Sequence, residues 1–380
     1  MSAAPHSRSP RDVRLDFFRG IAMFVIFVAH VPANSWFEFI PARFGFSSAA
    51  ELFVFCSGVA SSFAFGRLFQ RQGFSSGLFR TMSRIWQVYW AHIGMTLVMI
   101  IVSIIGLKLS GTDYPTRLGL GWFYAHPAEG VFAMMTLTYT PAYLDMLPVY
   151  LVLLAMLPLV MLVARLSPKL ALGSLFALWG LVQVTGLNLP GGQGPGNMWY
   201  FNPFAWQLVF FTGFAFGMGW LKAPDLRKGL LFWLCVAFLL LSVPVNFWAF
   251  TDNFPLLASI HDALLPPDGK TNLHPLLYLH FLASAYVVLT LIEPIRGELH
   301  RAKPVVLVGQ QALATFMAST ALAWSLGMVL DIAGRGLFAT SIVNLIGFAG
   351  IVAVAALAQR YKSPKEGPKS ALNLKAQPAE

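Results

Sequence analysis

Along this chain the apolar residues neither alternate nor recur at every third or fourth place; they continue for long stretches unbroken by charge. Seven runs, 20–37, 85–107, 146–164, 229–251, 271–292, 304–330 and 336–359, contain no Asp, Glu, Lys or Arg. Each reaches about 18 residues or more, enough as helix to cross roughly 30 Å of hydrocarbon. Residues 170–221 are uncharged throughout, but Pro190-Gly-Gly-Gln-Gly-Pro-Gly196 cannot continue a helix and divides them in two. A further stretch, 47–67, carries Glu51 near its start and closes on Arg67. The pattern predicts about ten transmembrane helices, roughly 16–36, 47–67, 80–107, 146–165, 169–188, 204–221, 229–250, 273–293, 304–330 and 339–359. The expected fold class is an all-α polytopic membrane protein.

The segment 126–145 is apolar but short, and Glu129, Thr136, Thr138, Thr140 and Pro141 interrupt it. It is expected to lie along or re-enter the outer face, since an extra span there would invert every later loop. After Tyr361 the chain is polar and punctuated by Pro and Gly, which predicts disorder. The organisation expected is a cytoplasmic N-terminal segment 1–15, a membrane domain 16–360 and a cytoplasmic tail 361–380. No internal repeat is visible, which weakens the case for a secondary transporter.

Composition narrows the class. Of 380 residues 57% are apolar and 11% charged, against about 45–50% and about 25% in soluble domains. That excludes a soluble enzyme, a disordered chain and a disulfide scaffold. Cys56 and Cys235 both fall inside apolar spans and read as packed side chains. Arg8, Arg11, Arg14 and Arg19 precede the first apolar run, which suits a retained helix with a cytoplasmic N-terminus better than a cleaved signal.

The net charge of +10 then acquires a topological meaning. With ten spans, 21 of the 26 Lys and Arg fall on the cytoplasmic side. Arg43, Lys108, Arg117, Lys270 and Arg335 remain outside. Both termini are therefore expected in the cytoplasm, and the basicity calls for no nucleic-acid partner. The bilayer is the partner it implies.

Ionisable groups inside spans cost several kcal/mol unless paired or wetted, so each is a candidate for function. On the first helix Arg19 and His30 are eleven residues apart, three turns plus about 20°, and so share a face across about 16 Å of rise. Asp16 lies one turn before Arg19. An interfacial Asp16–Arg19 ion pair and a carbonyl-bonded His30 would also account for them. Glu51, at the outer end of the second helix, could orient His30 or simply face water. Arg80, Arg84, Trp86, Tyr89 and His92 occupy the cytoplasmic part of the third helix. Guanidiniums there suit a phosphate-rich ligand, or serve as topological anchors. Asp145 and Tyr150 stand at the outer mouth of the fourth helix. Asn202 and Trp206, with His274 and His280, are expected to line an outer cavity. No metal-ligating cluster is visible.

Arg19 through His30 resembles the Arg-x10-His motif of the membrane-bound family 3 acyltransferases. Ala50-Glu-Leu-Phe-Val-Phe-Cys-Ser-Gly58 resembles their acidic second-helix motif, and Arg80-x-x-x-Arg84-x-x-x-x-Tyr89 their basic third-helix start. The OpgC branch is similar over nearly the whole chain. The matches are Arg14-Leu-Asp-Phe-Phe-Arg-Gly20, Phe44-Gly-Phe-Ser-Ser-Ala-Ala-Glu-Leu-Phe-Val-Phe55, Asp145-Met-Leu-Pro-Val-Tyr150 and Asn202-Pro-Phe-Ala-Trp-Gln207. A late-helix histidine found in the broader family after a Gly-x-x-Ser-Tyr stretch has no counterpart in 309–320.

The resemblance implies a bacterial inner-membrane enzyme that succinylates osmoregulated periplasmic glucans from cytoplasmic succinyl-CoA. Acyl-CoA would be a donor substrate and not a bound cofactor. Arg19, Arg80 and Arg84, with Trp86 and Tyr89, would hold the donor; His30 would act as base, with Glu51 or Asp16 orienting it. Asp145, Tyr150, Asn202, Trp206, His274 and His280 would meet the acceptor. A transporter or flippase using the same residues as a polar pathway would need no CoA. A non-catalytic scaffold would tolerate substitution along the His30 stripe.

Overall fold

The computed structural model describes residues 12–362. Its principal helices are α1 (Val13–His30), α2 (Ala49–Ser61), α3 (Phe74–Ser110), α4 (Met146–Leu166), α5 (Pro168–Thr185) and α6 (Pro203–Met218). They continue as α7 (Leu230–Asn246), α8 (Pro275–Ile292), α9 (Lys303–Gln310), α10 (Ala312–Ala333) and α11 (Leu337–Lys362). The described residues form no strand beyond an isolated bridge between Pro190 and Met198. Among them seven helices are long and apolar enough to cross a membrane. α6 and α7 are shorter, and α1 has the length but carries Arg14, Asp16 and Arg19. The chain is a multi-pass membrane protein, and length and composition alone support seven spans where the pattern predicts ten.

The ends of the helices differ from the expected ones for local reasons. α1 stops at His30, six residues early, because Pro32 holds Val31 in extended backbone (φ −72°, ψ 115°). α2 is prolonged by a π turn, Ser62–Gly66, and the helical Arg67–Arg71. α3 begins at Phe74, bracketed by Gly73 and Gly111 at φ 85° and 68°. The expected helix 304–330 divides at Gln311 into α9 and α10. α11 runs on to Lys362, so Tyr361 and Lys362, assigned from sequence to the tail, are helical. The rest of that tail, like residues 1–11, lies outside the described residues.

α6 is apolar on all sides and buried along most of its length, which makes it the central post of one half of the bundle. Backbones touch where glycine allows it. A Cβ at Gly58 of α2 would stand 1.8 Å from the Phe210 carbonyl oxygen of α6, and one at Gly309 of α9 would stand 1.8 Å from that of Asp16 in α1. These small-residue crossings draw α2 onto α6 and α1 onto α9. α7 is the opposite case: Phe232 and Ser242 are its buried residues, and Leu230, Leu234, Leu240 and Leu241 are exposed on its flank.

The segment after α3 runs back along that helix. Its helical piece Pro127–Met135 has nine residues, about 13 Å, too short to span. The Tyr124 hydroxyl lies 2.9 Å from Ser103 Oγ, and Tyr89 donates its hydroxyl to the Met135 carbonyl at 2.8 Å. Tyr89 and Ser103 are about 21 Å apart along α3, so the segment follows α3 over roughly that depth.

Candidate functional site

Because α1 ends at Pro32, His30 occupies its final turn, some 16 Å of helix from Arg19. The imidazole meets the edge of Tyr143, with ring centroids 5.1 Å apart at 73°. Tyr143 in turn meets Trp324 of α10 at 5.2 Å and 65°. Its φ of 67° lies in the left-handed region, where a bulky L-residue is held at a cost of about 1–3 kcal/mol. His30 Nδ1 and Trp324 Nε1 are buried without a hydrogen-bond partner. Two residues beyond Tyr143, Asp145 begins α4 without capping it. Burial pushes the Asp145 carboxyl up to about 7, and the hydrogen bond from its own backbone N–H opposes that shift. The geometry thus brings together a histidine, a tyrosine held in strained backbone and a carboxyl able to carry a proton near neutral pH.

Tyr200 lies within electrostatic reach of Asp145, Glu51 and Tyr143, which joins this group to a second one. Glu51 is fully buried and closes a capping box: Ser48 N–H and Oγ–H both donate to its Oε2 at 2.8 Å. Lys270 completes the arrangement. Its ammonium pairs with Glu51, donates to Ser48 Oγ at 2.8 Å and lies 5.2 Å from the centre of the Trp206 ring. Glu51 therefore pins an outer loop to α2, and the side chain against His30 is Tyr143. Of the five cations expected outside, Lys270 pairs within this group. Arg43 pairs with Glu38, and Arg117 and Arg335 pair with Asp331.

Asp16 is fully buried at the other end of α1, and both Asp16 and Arg19 act electrostatically on the Cys56 thiol of α2. Fourteen residues of helix, about 21 Å, separate Asp16 from His30, so Asp16 does not orient the histidine. Arg80 lines a groove of about 1040 Å³ together with Ala64, Leu68, Gln72, Ser75 and Phe79. Arg84, one turn further, donates to Gln87 at 3.3 Å. Trp86 stacks on Tyr89 at 6.2 Å and is exposed, whereas the Tyr89 hydroxyl is committed to Met135. His92 is fully buried, and neither ring nitrogen has a partner.

The outer candidates are used mainly as joints. Asn202 caps α6 and donates to the Leu187 carbonyl and to Asn272. Trp206 donates to the Lys270 carbonyl at 3.1 Å, and His274 caps α8. His280 sits between Ser47 Oγ at 2.7 Å and Ser242 Oγ at 3.1 Å. Tyr150 lies 3.5 Å from Ser61 Oγ. Asn202, Trp206, His274 and His280, expected to line an outer cavity, all take part in loop or helix-end hydrogen bonds. No group of three or more His, Cys, Asp or Glu among the described residues is arranged to hold a metal.

A family model described as the OpgC protein matches residues 11–363, nearly the whole chain. No curated protein matches it, and no solved structure does.

Proposed function

Since the chain belongs to the OpgC family, we propose that it is an acyl-CoA-dependent O-acyltransferase of the bacterial inner membrane. It moves a succinyl group from cytoplasmic succinyl-CoA to hydroxyls of osmoregulated periplasmic glucans. What carries this reading is the setting of His30 at the last turn of α1, against Tyr143, which stands two residues before Asp145, with Arg19 three turns earlier on the same helix. The nucleotide and phosphates stay at the cytoplasmic side, near Arg19, Arg80 and Arg84. The acyl-bearing arm threads inward past α1 towards His30.

Neutral His30 accepts the proton of a glucan hydroxyl as its oxygen attacks the thioester carbonyl. The C–O bond forms, the tetrahedral oxyanion collapses and the C–S bond breaks. The thiolate takes the proton from the imidazolium, directly or by a relay in which Asp145 gives up its own proton and recovers one from His30. Free CoA and the succinyl ester are the products, and the histidine is neutral again. Lys270 supplies positive charge on the outer side, where a succinyl carboxylate has few alternatives.

The test is release of CoA thiol from succinyl-CoA by detergent-purified protein, with and without glucan, beside His30→Ala. Glucan-stimulated release that His30→Ala removes is the expected result. Equal release by the folded variant overturns the mechanism, and absence of release in both favours a transporter.

A further inference from the structure

Between the segment after α3 and the loop joining α5 to α6 lies a cavity of about 300 Å³ that the scheme above does not use. Trp122, Thr138, Pro190, Gly194, Asn197 and Met198 line it, and none of its lining residues is charged. The loop is a built wall. Gly191 N–H donates to the Asn197 carbonyl at 2.8 Å, and Trp199 N–H to that of Leu189 at 3.1 Å. Gly191, Gly192, Gly194 and Gly196 all have φ between 84° and 147°, so other residues would be strained there. Trp199 is buried and its Nε1 is unpartnered. A Cβ at lining residue Gly191 would stand 2.5 Å from that nitrogen. His126 stacks on Trp122 at 5.7 Å and steadies the aromatic side of the cavity.

The wall is continuous with the histidine site. Thr140 N–H donates to the Gly192 carbonyl at 2.7 Å, so the loop holds the same strap that carries Tyr143. Thr138 lines the cavity and Tyr143 touches His30. They are five positions apart, at most about 18 Å of chain.

An indole, a hydroxyl, a carboxamide and rigid backbone, without charge, match an uncharged polyhydroxylated ring. They place no cation against phosphates or carboxylates, which disfavours the phosphate-bearing end of the CoA donor. We propose that this cavity is an acceptor subsite that holds one neutral sugar ring of the glucan and presents a neighbouring unit to His30. The proposal rests on the reading of a glucan as acceptor.

The experiment is titration calorimetry of the detergent-purified full chain with de-esterified periplasmic glucan, beside glucan-free thiol release from succinyl-CoA. Trp122→Ala should weaken glucan binding about tenfold, the scale of one lost aromatic contact, with Trp122→Phe intermediate. Thr138→Val, which keeps shape and loses the hydroxyl, should weaken it severalfold. Glucan-free release should be unchanged in both, and Trp122→Phe and Thr138→Val should keep the wild-type melting temperature. Wild-type affinity in Trp122→Ala and Thr138→Val overturns the subsite, as does failure of the wild-type protein to bind glucan. Glucan binding that depends on Trp122, without thiol release by the wild type, supports the subsite and overturns the acyltransferase reading.

Discussion

Tyr143 is held at a backbone angle that only glycine adopts freely, so its ring must be retained by its contacts with His30 and Trp324. Tyr143→Gly removes strain and ring together. Turnover should fall about tenfold, the upper range of one aromatic pair, while the melting temperature does not drop. A lower melting temperature with unchanged turnover would make Tyr143 merely structural. Asp145 predicts a pH dependence. Its carboxyl titrates near 7 in the folded protein against an ordinary 3.8. Between those values the folded state holds a proton that the unfolded chain has lost, so stability falls as pH rises from about 4 to about 7. Melting temperatures across that window should flatten in Asp145→Asn. Lys270→Met leaves Glu51 buried without its cation and should cost about 3–5 kcal/mol, much of it recovered in the Glu51→Gln/Lys270→Met double variant. A double-mutant cycle by denaturation reads the coupling.

At the scale of elements, long uncharged runs made most of the principal helices legible, because crossing hydrocarbon leaves little freedom in length or composition, whereas α9 and α10 read as one helix. Several joints were legible too. Asn202-Pro203 and His274-Pro275 carry the cap-then-proline pattern of a helix start, and Ser48 with Glu51 three residues on is the capping-box spacing. Read that way, Asn202, His274 and Glu51 fall to structure before they are offered to a substrate. Pro32 likewise announces the end of α1. Tyr143 and Lys270 carried no such signal, since their roles arise from contacts made by distant parts of the chain. The helix crossings make a paired prediction. Gly309→Ala places a methyl against the Asp16 carbonyl and should destabilise by about 1–3 kcal/mol. Gly94→Ala in α3 meets nothing within 4 Å and should be neutral or stabilising. Thermal denaturation of the two variants compares them directly.

For the whole molecule, the positive-inside asymmetry predicts which face meets which compartment. A single cysteine replacing Gln193, in the loop beside the sugar cavity, should react with an impermeant maleimide added to spheroplasts. One replacing Ser167, between α4 and α5, should react only after lysis. The reverse pattern would turn the molecule over and place Lys270 and His30 on the donor's side.

α7 has one more consequence. Its 17 residues rise about 26 Å, short of a hydrocarbon layer of about 30 Å. Unlike α6, which is as short but enclosed by neighbouring helices, α7 has an exposed apolar flank. As the span that the uncharged run predicts, it would require the bilayer to thin beside it or headgroups to be drawn inward. Lipids with shorter acyl chains should therefore collect along that flank, and the protein's stability should vary with membrane thickness.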